Sequence, residues 1–234
     1  MAKETDQEIM MNAVKTVATQ DAKNWYKGHF GSDDGEKKNS YWHAKSRADL
    51  LAQEILKNGI PKLESLKVHK REDSYNKNHD GTTENEKSNR LEERIAMEMK
   101  DKTYRDFGKV LDYQVPLKNK KSDKGLGKID LIAYNETNNV LTLLELKKPD
   151  SDETLLRAAL EIYTYWKIVD QKKLLEDFSL SPDVKVEKAV LLFKDSYAYN
   201  EYKNLNKTES KHTIELMKQL DIKFYAVRMG VIDL

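Results

Sequence analysis

Cysteine is absent from this chain, and with it go disulfides, zinc held by thiolates and iron–sulfur clusters; a reducing cytoplasm is the compartment that fits. Long apolar runs are absent too. No stretch approaches the roughly 20 apolar residues needed to span a bilayer. The first residues, Met1-Ala2-Lys3-Glu4-Thr5-Asp6, carry acids where a secretory signal has a basic end and an apolar block. The expectation is a soluble, cytoplasmic protein without a membrane partner. Nor does one sign of charge prevail. Lys and Arg number 41 against 40 Asp and Glu, a formal net charge of +1, unlike the strongly basic footprint of a protein that coats nucleic acid. Any nucleic-acid contact is therefore local. The five histidines (His29, His43, His69, His79, His212) form no close pair at ligand spacing, and no serine sits in a nucleophile elbow. Gly125-Leu126-Gly127-Lys128 lacks the rest of a phosphate loop and leads into a strand, so its glycines serve a tight turn or close approach.

What is present divides into three parts. Residues 1–70 read as helical: Ile9, Met10, Ala13, Val14, Val17 and Ala18 recur at helical spacing, and a second helix over about 41–56 ends at Asn58-Gly59 with Pro61 beyond. The segment suggests an accessory or dimerisation role, with a homodimer as the partner it implies. Residues 71–88 hold no aliphatic side chain and read as a linker or long loop. Residues 89–234 then alternate strands and helices, as in a mixed sheet flanked by helices.

Within that last part, Gly127 to Tyr134 and Val140 to Lys147 are apolar runs separated by Asn135-Glu136-Thr137-Asn138-Asn139, the pattern of a β-hairpin. A symmetric ladder sets Tyr134 opposite Leu141 and Asp130 opposite Glu145. Period-two alternation then places Asp130, Glu145 and Lys147 on one face, and Ile129, Leu131, Leu144 and Leu146 on the other. Facing carboxylates repel, unless a hard divalent cation joins them. Upstream, a helix starting near Ser88 or Asn89 carries Leu91, Ile95 and Met99 in a stripe; Glu92 falls beside it and Glu93 opposite. Glu92 either serves a site or complements the helix dipole.

An Asp in one strand and Glu-x-Lys in the next (Asp130, then Glu145-Leu146-Lys147) resembles the PD-(D/E)xK nuclease superfamily, the restriction-endonuclease-like fold. The order helix, three antiparallel strands, helix, strand over residues 89–194 is similar as well. Ile129 stands where that family has its proline. The resemblance implies an α/β restriction-endonuclease-like domain that hydrolyses phosphodiester bonds of DNA with Mg2+, or Mn2+ in its place. Asp130, Glu145 and the backbone carbonyl of Leu146 would hold metal, with Glu92 as the acid from the preceding helix. Lys147 would position or deprotonate the attacking water. Several nuclease families carry Gln-x-x-x-Tyr in the following helix; Tyr165 matches and Glu161 departs, and Glu161 is expected to pair with Arg157 one turn earlier. Lys118, Lys120, Lys121, Lys124 and Lys128 would either contact phosphates or line a solvated loop. The alternative is a catalytically silent module that keeps the fold and binds nucleic acid or a protein.

Overall fold

The computed structural model describes residues 5–27, 40–79, 91–119, 123, 126–194, 196–203 and 210–228, with backbone alone over 40–46. The chain is α/β. Its sheet runs β1 (Thr103–Tyr104), β2 (Gly108–Pro116), β3 (Lys128–Asn135), β4 (Val140–Lys147), β5 (Lys185–Phe193) and β6 (Lys223–Val227), neighbours in that order. The first four strands are antiparallel; β5 and β6 join in parallel. Parallel joins need crossovers. Helices α5 (Leu155–Ile168) and α6 (Gln171–Asp177) lead from β4 to β5, and α7 (Tyr197–Lys203) and α8 (Lys211–Gln219) lead from β5 to β6.

Local chemistry accounts for the ends of these elements. Helix α1 (Asp6–Thr19) starts with a reciprocal capping box: the Glu8 N–H donates to Thr5 Oγ1 at 3.2 Å, and the Thr5 N–H donates to Glu8 Oε2 at 2.7 Å. Thr154 caps α5 and Asp170 caps α6, each accepting from an N–H three residues on. The expected stop at Asn58-Gly59 is not one. Helix α2 (Ser40–Glu54) runs through a π turn, Ile55–Gly59, into α3 (Ile60–Glu64). The wide turn seats Pro61 in the first turn of α3, where its missing N–H costs nothing. Gly59 sits against the Trp25 ring, which a Cβ there would approach at 3.1 Å.

The sheet has a core on each face. On one face α4 (Leu91–Met99) lays Ile95, Ala96 and Met99 on Phe107, Val110, Leu131, Ala133, Leu144 and Leu146. On the other, α5 meets Leu141, Leu143, Val190 and Leu192, and this cluster continues without a break into Ile9, Trp25, Leu51, Ile55 and Leu63. The boundary expected at 71–88 therefore does not separate two cores. Among the described residues, Ile9, Ala13 and Val17 of α1, Ala48, Leu51 and Ala52 of α2 and Leu63 of α3 are buried inside the chain, leaving Met11 and Val14 as the large exposed apolar residues of α1. The described part of the expected linker is also fastened. Tyr75 is fully buried, its N–H donates to Asp177 Oδ2 at 2.7 Å, and the Asp170 N–H donates to its hydroxyl. The buried Asp112 carboxylate receives the Lys77 N–H and lies 2.8 Å from His79 Nδ1. A stretch poor in aliphatic groups is ordered here by one aromatic ring and by hydrogen bonds to neighbouring elements; residues 80–90, including Ser88 and Asn89, lie outside the described residues.

Candidate active site

The hairpin register is the one a symmetric ladder requires, with Tyr134 opposite Leu141 and Leu131 opposite Leu144. Beyond Leu131 the backbone pairing of β3 with β4 ends. There the Leu146 N–H donates to Asp130 Oδ2 at 2.9 Å, so a side chain replaces the ladder bond, and Gln114 Nε2 of β2 donates to Asp130 Oδ1 at 2.8 Å. Of the four residues expected on the apolar face, Leu131, Leu144 and Leu146 lie in the α4-side core, whereas Ile129 joins the α5-side core. Its β2 partner Val115 switches with it, whereas Tyr113, opposite Leu131, stays in the α4-side core.

Lys147 turns toward α5. Its ammonium lies 2.7 Å from Glu145 Oε1, 2.5 Å from Glu153 Oε2 and 3.4 Å from Glu161 Oε2, with only 5% of its side chain exposed. Glu161 therefore does not form the expected pair with Arg157. Arg157 instead meets Glu153 Oε1 at 3.1 Å, while Glu161 Oε1 receives the Tyr165 hydroxyl at 2.8 Å. Glu161 lies on the sheet-facing side of α5, where a buried cation outcompetes an outer-face partner. Tyr165 is pinned in turn. Its hydroxyl is 3.5 Å from that of Tyr26, and a Cβ on Gly127 would come within 2.0 Å of it. Gly127 thus lets the start of β3 lie directly over the Tyr165 hydroxyl.

The electrostatics follow from burial and crowding. Burial pushes the Asp130 carboxyl up to about 7, opposed by Lys147 and the Leu146 N–H and reinforced by Glu161 and Glu92. Burial, with Asp130 and Glu161 alongside, holds Glu145 well above the carboxylate range. For Lys147, burial pulls down but Glu145, Glu161 and Glu153 more than reverse it, leaving the ammonium well above the usual lysine value. Glu161 goes the other way. Burial raises it, but Lys147, the Tyr165 hydroxyl and the Glu145 carboxyl together hold it below the ordinary glutamate value. Glu145 Oε2 is buried and has no hydrogen-bond partner among the described residues. This acid needs a proton or a further cation.

Glu92 reaches the same end of β4, where its Oε1 accepts the Lys148 N–H at 3.1 Å. Among the described residues, however, no group of three or more His, Asp or Glu side chains stands close enough to hold a metal ion. Lys118 is half-buried and Lys128 exposed, at the two ends of the connection into β3; Lys120, Lys121 and Lys124 lie outside the described residues. Two contributors carry almost no signal of their own in the sequence. Glu153 shows itself only as the last acid of Asp150-Ser151-Asp152-Glu153, and Gln114 opposes Asp130 through a strand irregularity that no glycine marks.

The chain matches no family model, no curated protein and no solved structure. What the site can do therefore rests on its own geometry. No helix among the described residues is long and apolar enough to cross a membrane.

Proposed function

We propose that the protein is a metal-dependent nuclease of the restriction-endonuclease-like kind, hydrolysing phosphodiester bonds in DNA. The observation that carries this reading is the meeting of Asp130, Glu145 and Lys147 where β3 and β4 part, with a buried Glu145 oxygen left without a donor. The donor set suits a hard cation in kind. Mg2+ keeps several waters and is bound through one or two carboxylates plus substrate phosphates, so a gathered three-acid cage is not a requirement. Asp130, Glu145 and the Leu146 carbonyl would hold the ion, with Glu92 from the preceding helix contributing a further acid. When bound there, such an ion would supply a lowered pKa for its water and polarisation of the phosphate.

The remaining roles belong to the chain. Lys147 stays protonated, since three carboxylates hold its pKa up; it would offset negative charge at the site and would not act as the base. Glu153 and Glu161 fix that ammonium, and Tyr165 fixes Glu161. Lys118, Lys120, Lys121, Lys124 and Lys128 would supply local, sequence-independent attraction to the DNA backbone.

A second reading is supported by one observation. Both Asp130 oxygens already have donors from the chain and Lys147 is fully engaged by acids, as in a silent module whose buried charges serve the fold. Incubating the purified protein with supercoiled plasmid, single-stranded DNA and RNA, with Mg2+, Mn2+ or EDTA, decides between them. Metal-dependent cutting of DNA that Glu145→Gln abolishes supports the nuclease. No cutting by wild type, or equal cutting by Glu145→Gln, removes it.

A further inference from the structure

Inside strand β2, a bulge and a left-handed residue both act on one side chain. The pairs Lys109 with Tyr134 and Val110 with Ala133 give way to Asp112 with Ile132, Tyr113 with Leu131 and Val115 with Ile129. Leu111 is the extra residue of this bulge. Carried forward without it, the first register would set Tyr113 across from Asp130. With it, Gln114 takes that place, between two registered pairs. Bulges re-aim side chains in this way.

The second irregularity is the backbone of Gln114 itself. Its φ is +48°, in the left-handed region that a residue with a Cβ enters only at a cost. No turn calls for it, since Gln114 lies inside β2 between the buried Tyr113 and Val115. The conformation directs Nε2 to within 2.8 Å of Asp130 Oδ1. Asp130 is thereby gripped from both neighbouring strands, by Gln114 of β2 and by the Leu146 N–H of β4.

We propose that Gln114 is a positioning residue of the candidate metal site, orienting the Asp130 carboxylate for a divalent cation; this rests on the nuclease reading above. An amide suits the task because it donates a hydrogen bond without carrying charge. It fixes the carboxylate yet leaves its negative charge for the ion, where an arginine or lysine would compete with it. The left-handed backbone persists because packing on either side holds it in place.

Two variants test this while keeping the fold. Gln114→Gly removes the amide and relieves the backbone; Gln114→Asn suits a left-handed residue but is one methylene too short. Four readouts are compared with wild type: melting temperature in EDTA, exchange of the Leu146 amide proton by NMR, Mn2+ affinity by paramagnetic titration, and plasmid cleavage. The expected result is an unchanged or higher melting temperature for Gln114→Gly, with Leu146 exchange about tenfold faster. Mn2+ affinity should fall roughly 10- to 100-fold, the usual cost of losing a group that orients a metal ligand. Wild-type Leu146 exchange and Mn2+ affinity in both variants would overturn the proposal, as would lower melting temperatures with unchanged affinity. The two readings fail separately. If wild type binds Mn2+ but cuts no DNA, the nuclease reading falls and the role of Gln114 is still decided by the Mn2+ affinities and Leu146 exchange. A wild type that binds no Mn2+ overturns the positioning role itself.

Discussion

The Asp130 carboxylate stands in for a backbone carbonyl, accepting the Leu146 N–H at 2.9 Å where the β3–β4 ladder has opened. A charged group thus satisfies a buried strand donor, and its ionisation becomes coupled to the fold. The folded pKa, about 7, exceeds the ordinary aspartate value of 3.8, so folding takes up a proton between those limits. Asp130 costs nothing in stability below about pH 3.8, an increasing amount as pH rises from there to about 7, and a constant amount above that. Asp130→Asn keeps the shape, because the asparagine oxygen can accept from Leu146 while Gln114 turns its amide. In EDTA this variant should match wild type near pH 4 and exceed it at pH 8 by up to about 4 kcal/mol. Adding Mn2+ should narrow the gap, because only wild type gains a ligand. Urea melts at both pH values check this; a gap independent of pH would show that Asp130 does not titrate in the window given.

Lys147 is the counterweight to three acids, Glu145, Glu153 and Glu161. Removing it leaves buried carboxylates facing one another. Lys147→Met should cost roughly 3–5 kcal/mol near neutral pH, the range for breaking a buried ion pair from one side. The loss should shrink as pH falls and Glu145, whose pKa is raised, takes up its proton. Adding Glu145→Gln to Lys147→Met should restore part of the stability, without restoring cleavage. Denaturant titrations of the single and double variants read this coupling directly.

How much of this arrangement was legible follows from which rule each residue obeys. The hairpin register obeys period-two alternation and a five-residue loop, so Tyr134 opposite Leu141 could be read from sequence. Alternation says nothing about where a ladder opens, and Ile129 changed sides at that opening. Glu161 was assigned to Arg157 by the helical i, i+4 rule, which holds for solvated faces; α5 is buried on most of its circumference, and there the nearest buried cation decides. The bulge at Leu111 has no compositional mark, so Gln114 stayed hidden. Segment 71–79 is poor in aliphatic groups, yet Tyr75 and Asp112 order it through hydrogen bonds, which composition does not register.

Gly127 lies so close to the Tyr165 hydroxyl that no side chain fits between them. Gly127→Ala should push Tyr165 off Glu161, and with it loosen the acid that holds Lys147. Cleavage should fall at least about tenfold with a modest loss of stability, on the order of 1–3 kcal/mol for overpacking. Tyr165→Phe in the Gly127→Ala background should recover some of that stability by removing the nearest clashing atom. If the double variant is no more stable than Gly127→Ala alone, the contact is not the source of the defect.

The last prediction concerns the N-terminal helices. Ile9, Trp25, Leu51, Ile55 and Leu63 are each at most 1% exposed and share one cluster with Leu143, Leu156, Ile162 and Val190 of the sheet and α5. Each such side chain stabilises by roughly 1.5–3 kcal/mol when fully buried, so together they rival the whole net stability of an ordinary domain. Tyr26 also closes over Tyr165, and burial pushes its own hydroxyl up to about 12. A fragment beginning at residue 88 would expose the α5-side core and lose that cover. It should aggregate or remain partly unfolded, whereas the same fragment mixed with residues 1–79 during refolding should recover solubility. Circular dichroism and size-exclusion chromatography of the fragment alone and of the refolded mixture make the comparison. A monomeric 88–234 fragment that melts cooperatively on its own would mean that α1 to α3 are dispensable and that the shared core is not needed for folding.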